Sequence, residues 1–112
     1  MGQIGGFMIF EGFESYFSIL KKSSSCLILH SYLSEDDWMI VKKSGYFSLE
    51  HRHPGSENFH HQTSFGTLPD CLLEIASHDE YMCRKSGHYI SKDDSLFCYL
   101  LSVFDRIVWP EF

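Results

Sequence analysis

Alanine is almost missing from this chain: Ala76 is the only one among 112 residues. Proline is scarce as well, limited to Pro54, Pro69 and Pro110. No apolar run approaches the roughly 18–20 residues of a membrane-spanning helix, so none is expected. The opening Met1-Gly2-Gln3-Ile4-Gly5-Gly6 lacks a basic stretch, and Glu11 and Glu14 interrupt the apolar residues after it. A secretory signal is therefore not expected, and a cytoplasmic location is. Cys26, Cys71, Cys83 and Cys98 form no C-x-x-C pair. They could make two disulfides in three connectivities, but four reduced thiols packed as small apolar groups suit the expected compartment better.

Positive charge is also in short supply. Nine Lys+Arg stand against 15 Asp+Glu, a formal charge of −6 with neutral histidines. That balance argues against a binder of nucleic-acid phosphates, whose domain is normally basic, and favours a cationic partner. Seven histidines would more than cancel the −6 if all were protonated, so charge-driven binding should weaken in mild acid.

Catalytic signatures are missing too. There is no G-x-S-x-G elbow and no phosphate-binding G-x-x-x-x-G-K-[ST] loop. Cys71, Cys83 and Cys98 lie in or beside apolar helical runs, where thiols are inert packing. His78, Asp79 and Glu80 contain acid–base groups, but consecutive residues on one helix point in different directions. No cofactor is implied, and the expectation is a protein that is not an enzyme.

What the chain has in plenty is aromatic rings, 16% of its residues: ten Phe, six Tyr and two Trp. They can fill a core with few side chains, or serve the centre of an interface. The length fits one domain spanning residues 1–112. Gly2, Gly5, Gly6 and Gly12 loosen its start.

Phe13, Tyr16, Phe17 and Leu20 fall at i, i+3, i+4 and i+7, which predicts a helix over 11–20. Cys26–Leu33 reads as a short buried helix or a strand. Ser34-Glu35-Asp36-Asp37 before Trp38–Lys43 has the order of a capped helix, with a hairpin of strands 38–43 and 46–51 as its rival. Residues 51–66 show no sustained period and are read as a long loop. Thr67-Leu68-Pro69-Asp70 opens a helix whose stripe is Leu72, Ile75, Ala76, Met82 and Cys83, ended by Arg84, Lys85 and Gly87. Ser91 caps a last helix running from Leu96 to Val108. The sum is a mostly α, compact bundle of four to five helices, with an α+β fold carrying a hairpin at 38–51 as the alternative.

Two groups of residues invite a functional reading. His51, His53, His60 and His61 fall within eleven residues. An extended H-x-H pair can aim two imidazoles at one metal, and a later histidine could add a third. Glu50, Glu57 or Cys71 could complete such a set. The spacing matches no zinc signature, and a solvated polar loop is the plainer reading.

The acids form the second group. Glu35-Asp36-Asp37 and Asp93-Asp94 suit helix N-termini, where carboxylates are stabilising. Asp79-Glu80 does not, because it sits late in its helix, and Asp79 takes the i+7 place from Leu72 in the apolar stripe. The plain alternative is an exposed Glu80–Arg84 pair. With Tyr81, Asp79 and Glu80 make the first candidate patch for a basic partner, and Glu35, Asp36, Asp37 and Trp38 make the second.

A small, acidic, aromatic-rich chain without catalytic motifs resembles the bacterial toxin-immunity proteins. Glu50-His51-Arg52-His53-Pro54-Gly55-Ser56-Glu57 looks like the His-Pro-Ser-Gly-Ser-Asp turn of the four-helix proteins that block DNase colicins. Here the turn is shorter, and Asn58-Phe59-His60-His61 replaces the expected tyrosine pair, so that family's fold and binding residues are not carried over. Contact-dependent-inhibition immunity proteins fit equally well. The resemblance implies a cytoplasmic inhibitor of a basic protein toxin, a nuclease first of all. The alternatives are a metal-binding or RNase-like enzyme using the His51–His61 loop, and a non-toxin adaptor.

Overall fold

Residues 17–65 form five strands, where a helix over 11–20, a helix favoured over a hairpin at 38–51 and a loop over 51–66 were expected. In a computed structural model that describes residues 9–110, these are β1 (Phe17–Lys22), β2 (Cys26–Ser31), β3 (Asp37–Lys42), β4 (Phe47–Arg52) and β5 (His60–Phe65). They pair antiparallel in chain order, a simple meander. Two helices follow, α1 (Leu68–Lys85) and α2 (Leu96–Ser102). The mostly α bundle is therefore overturned: the fold is α+β, and residues 38–51 lie in the hairpin of β3 and β4. The expected contribution of Gly2, Gly5 and Gly6 lies outside the described residues.

The physical reason is a period of two. In β2, Leu27, Leu29 and Ser31 are buried, while Cys26, Ile28 and His30 between them are half-exposed. Trp38 and Ile40 continue that buried face on β3, and Leu49 and His51 on β4. A helix over 35–43 would scatter these side chains around its axis, whereas a strand sends alternate ones to one face. The tight β3–β4 turn is closed by the Lys43 N–H donating to the Tyr46 carbonyl at 2.8 Å, with Gly45 at φ 86°. That left-handed angle favours glycine.

The expected first helix dissolves for a similar reason. Phe13–Ser15 makes a single 3-10 turn after Gly12, and Phe17 already begins β1. A register shift between Ile19 and Lys21 breaks the alternation of β1 and leaves Leu20 exposed, which disguises the strand as a helical stripe. The long loop also shrinks. Residues 60–65 pair with β4, so the irregular stretch is 53–59.

The ends of α1 agree closely with their sequence signals, and its expected stripe is buried at Leu72, Ile75 and Ala76 but exposed at Met82. The Thr67 hydroxyl accepts from the Asp70 N–H at 3.2 Å. At the other end, Gly87 N–H donates to the Arg84 carbonyl at 2.9 Å, and His88 N–H to that of Cys83 at 3.2 Å. This paired closure needs a left-handed residue, and Gly87 supplies φ 94°. The last helix is shorter than expected. Ser91 caps a 3-10 turn at Lys92–Asp94, Ser95 caps α2, and α2 stops at Ser102, with a further 3-10 turn at Phe104–Arg106.

The core lies between one sheet face and the helices. Leu27, Leu29, Trp38, Ile40 and Leu49 meet Leu72, Ile75, Ala76 and Leu100, with Phe10, Phe13 and Phe17 filling one end. Thus the surplus of rings serves the core in part. Four cysteines are free, and Cys71 is fully buried with its thiol pushed up to about 12 by desolvation and then by the Asp70 charge. Among the described residues no helix is long and apolar enough to cross a membrane.

Candidate functional site

The histidines separated in sequence converge at the end of β4. His51 and His53 stand two residues apart on an extended chain, which turns both to the same side. His60 is the cross-strand partner of His51, so it shares that side. The ring centroids lie 4.4 Å apart for His51–His53, 5.3 Å for His51–His60 and 5.8 Å for His53–His60. One ring nitrogen from each lies within 4.8 Å of the others. His51 is buried at the floor; His53 and His60 are exposed at the mouth.

His61 does not join them. It is the next residue on the strand and points to the other side, where its Nδ1 lies 3.3 Å from the Ser48 hydroxyl. Among the described residues, Glu50, Glu57 and Cys71 belong to no such cluster.

Behind His51 sits a carboxylate that sequence reasoning assigns to a partner surface. Asp36 is buried, and its Oδ2 lies 2.8 Å from His51 Nε2. Its Oδ1 is 3.7 Å from His53 Nδ1, and its Oδ2 is 4.0 Å from His78 Nδ1 on α1. Three imidazoles thus surround one carboxylate. Asp36, His51 and His78 form a second, inner cluster that shares His51 with the first. Desolvation pushes the His51 pKa below its ordinary value, outweighing the hydrogen bond and charge of Asp36, so this imidazole favours its neutral form.

α1 brings a further buried acid to the same region. Asp79 accepts from the Ser31 hydroxyl on β2, and its Oδ1 lies 3.2 Å from His78 Nδ1. That hydrogen bond raises the His78 pKa against the opposing effect of burial. The two side chains, expected to diverge, are thus joined.

These positions correct both acidic patches. Asp79 and Glu80 are 1% and 3% exposed, so they do not present carboxylates to a partner. Glu80 accepts from the Ser95 hydroxyl at 2.8 Å and the Phe97 N–H at 3.1 Å, tying α1 to the start of α2. Arg84 does approach it, at 3.7 Å, but from the rim of a buried group. In the second patch Asp36 and Trp38 are buried, and Asp37 is half-buried between Arg52 at 2.6 Å and His30 at 2.8 Å. Only Tyr81 and Glu35 remain at the surface. The sequence did carry a signal for Asp79: a carboxylate on an apolar stripe faces the core and must find donors there. Nothing local marked Asp36 or His78 as neighbours of His51, because sheet register and helix docking bring them together.

A separate surface feature lies where the β2–β3 turn approaches the C-terminal end of α1. A groove of about 420 Å³ is lined by Tyr16, Tyr32, Leu33, Tyr89, Ile90 and Asp94 among others. A second one, of about 380 Å³, shares Leu33 and extends along Met82 and His88. Tyr89 is 88% exposed, Tyr32 50% and Leu33 44%. Isolated exposed apolar residues are ordinary, whereas here several line one concavity.

No protein-family model matches this chain, and no characterised protein or solved structure shows significant similarity to it.

Proposed function

We propose that this chain is an inhibitor of the immunity-protein kind, which neutralises a cognate basic toxin, a nuclease first of all, by docking on it. The observation that carries the reading is the pair of grooves sharing Leu33, one lined by Tyr32 and Tyr89 and the other by Met82, on a chain of charge −6. Tyrosines offer large contact area at low entropic cost and dominate interface centres. Exposed Asp94 lines the first groove, and exposed Glu35 and Asp93 adjoin lining residues of the two grooves in sequence; such carboxylates would steer a cationic surface inward. The acids at 36, 79 and 80 serve the interior, so the recognition chemistry passes to the rings and these remaining carboxylates.

The test has two stages. Immobilised wild type and a Tyr32→Ala/Tyr89→Ala variant are exposed to lysate of the native host, and the protein retained by wild type alone is identified. That protein should be basic, should arrest growth when made in a naive host, and should be neutralised by co-expressed wild type but not by the variant. A retained protein that is acidic or harmless, or a variant that protects as well as wild type, overturns the reading.

A further inference from the structure

We propose that His51, His53 and His60 form a binding site for a borderline divalent cation of the zinc class, with Asp36 as the residue that positions His51. This site is independent of the docking groove and does not rest on the inhibitor reading.

The donors are of the right type and number. Three imidazoles are a recurring zinc set, leaving the fourth tetrahedral position to water or another ligand. Imidazole nitrogen suits zinc, copper and nickel over magnesium or calcium, which select oxygen. The ring nitrogens already lie within 4.8 Å of one another. Zn–N bonds of about 2.0–2.1 Å in a tetrahedron place ligand nitrogens roughly 3.3 Å apart. Only a modest closure is needed, and the two residues that must move most easily, His53 and His60, are the exposed ones.

The fixed point is His51. It is 3% exposed, stacked on Trp38 at 4.2 Å and held through Nε2 by Asp36 at 2.8 Å. When Nε2 carries the proton donated to Asp36, Nδ1 carries the lone pair. A carboxylate behind a ligating histidine fixes its tautomer and orientation in this way, and its removal typically weakens binding 10–100-fold. The backbone supplies the rest of the preorganisation. His53 is two residues beyond His51, and His60 is set opposite His51 by the β4–β5 register. The ion would join β4 to the start of β5 across the 53–59 loop.

The test uses the purified full chain, stripped with a chelator and titrated with Zn2+ by calorimetry, and separately with Co2+ for its visible absorption. Wild type should take up one equivalent of Zn2+, and Co2+ should show the intense bands of a tetrahedral nitrogen site. His53→Gln and His60→Gln alter exposed side chains; each should weaken Zn2+ binding at least tenfold with an unchanged melting temperature in the metal-free state. Asp36→Asn should weaken it about 10–100-fold. His61→Gln, on the opposite side, should bind as wild type does. The proposal is overturned if wild type takes up no stoichiometric Zn2+, or if His61→Gln weakens binding as much as His60→Gln. It is equally overturned if His78→Gln abolishes binding while His53→Gln and His60→Gln do not, because the ion would then sit in the inner Asp36–His51–His78 cluster.

Discussion

Trp38 and His51 face each other across β3 and β4 with their rings 4.2 Å apart and 19° from parallel. The indole is fully buried, and the imidazole behind it is anchored to Asp36. A polar network is thus built into the core on the wall of its largest side chain. The His78 ring meets the same indole edge-on at 5.0 Å, so α1 and the hairpin share this contact.

His51→Ala removes the stack and the 2.8 Å partner of a buried carboxylate together. A buried acceptor left without its donor costs more than the hydrogen bond alone contributed. The expected loss is about 3 kcal/mol or more. Urea denaturation followed by tryptophan fluorescence measures it. A loss below about 1 kcal/mol, the scale of a surface site, would show that Asp36 is not dependent on His51.

Glu80 ties α1 to α2 by accepting from Ser95 and Phe97. Glu80→Ala strands both donors, and hydrogen bonds to a charged group contribute about 1.5–3 kcal/mol. A fall in melting temperature of roughly 10 °C is expected for a chain of this size. Glu80→Gln keeps one acceptor oxygen and should fall about half as far. If Glu80 acted only as an i,i+4 partner of Arg84, Ala would cost just a few tenths of a kcal/mol. Thermal scans of the two variants separate the cases.

Gly87 closes α1 at φ 94°, with open space where a Cβ would stand. Gly87→Ala therefore meets backbone strain without a steric clash. A destabilisation of about 1 kcal/mol is expected from the left-handed conformation. Gly66→Ala also meets open space but has no positive φ, and should change stability by less than about 0.5 kcal/mol. Equal effects at the two positions, read from denaturation midpoints, would count against this account.

His30 lies on the sheet face away from the helices, its Nδ1 2.8 Å from Asp37 and its Nε2 3.2 Å from Glu35. The Asp37 hydrogen bond raises the His30 pKa above 6.5, against the effect of burial. Burial would raise the Asp37 pKa, but hydrogen bonds from His30 and Arg52 prevail and hold it below 3.8. A raised histidine stabilises the fold below its unfolded pKa and loses that contribution as pH rises through its folded one. A depressed carboxylate stabilises above its unfolded pKa and loses the contribution as pH falls. The pair is therefore strongest on the acidic side of neutrality. The stability gap between wild type and His30→Gln should be widest near pH 5–6 and narrow by pH 8. Melting curves of both proteins across that range check the sign, and a gap that widens with pH would reverse it.

Sequence alone determined α1. Thr67, Pro69, Arg84, Lys85 and Gly87 act within a few residues of themselves, so their spacing carries the caps, the dipole complement and the closure of the helix. The H-x-H spacing at 51 and 53 likewise placed two imidazoles on one side wherever that segment became extended. Tertiary structure decided the rest. Phe13, Tyr16, Phe17 and Leu20 satisfy a helical stripe on paper, yet their segment pairs with β2, and a register shift hides its alternation. Residues 38–43 favoured a capped helix slightly over a strand, and pairing on both sides selected the strand. Asp36 and Glu80 read as surface charge, since a carboxylate is costly to bury without donors, and only the place of Asp79 on the apolar stripe hinted at the interior. Those donors come from His51, Ser31 and Ser95, which lie 15, 48 and 15 residues away. Local spacing does not record separations of that length, so the interior use of these acids and the histidine cluster they support emerge only when sheet and helix meet.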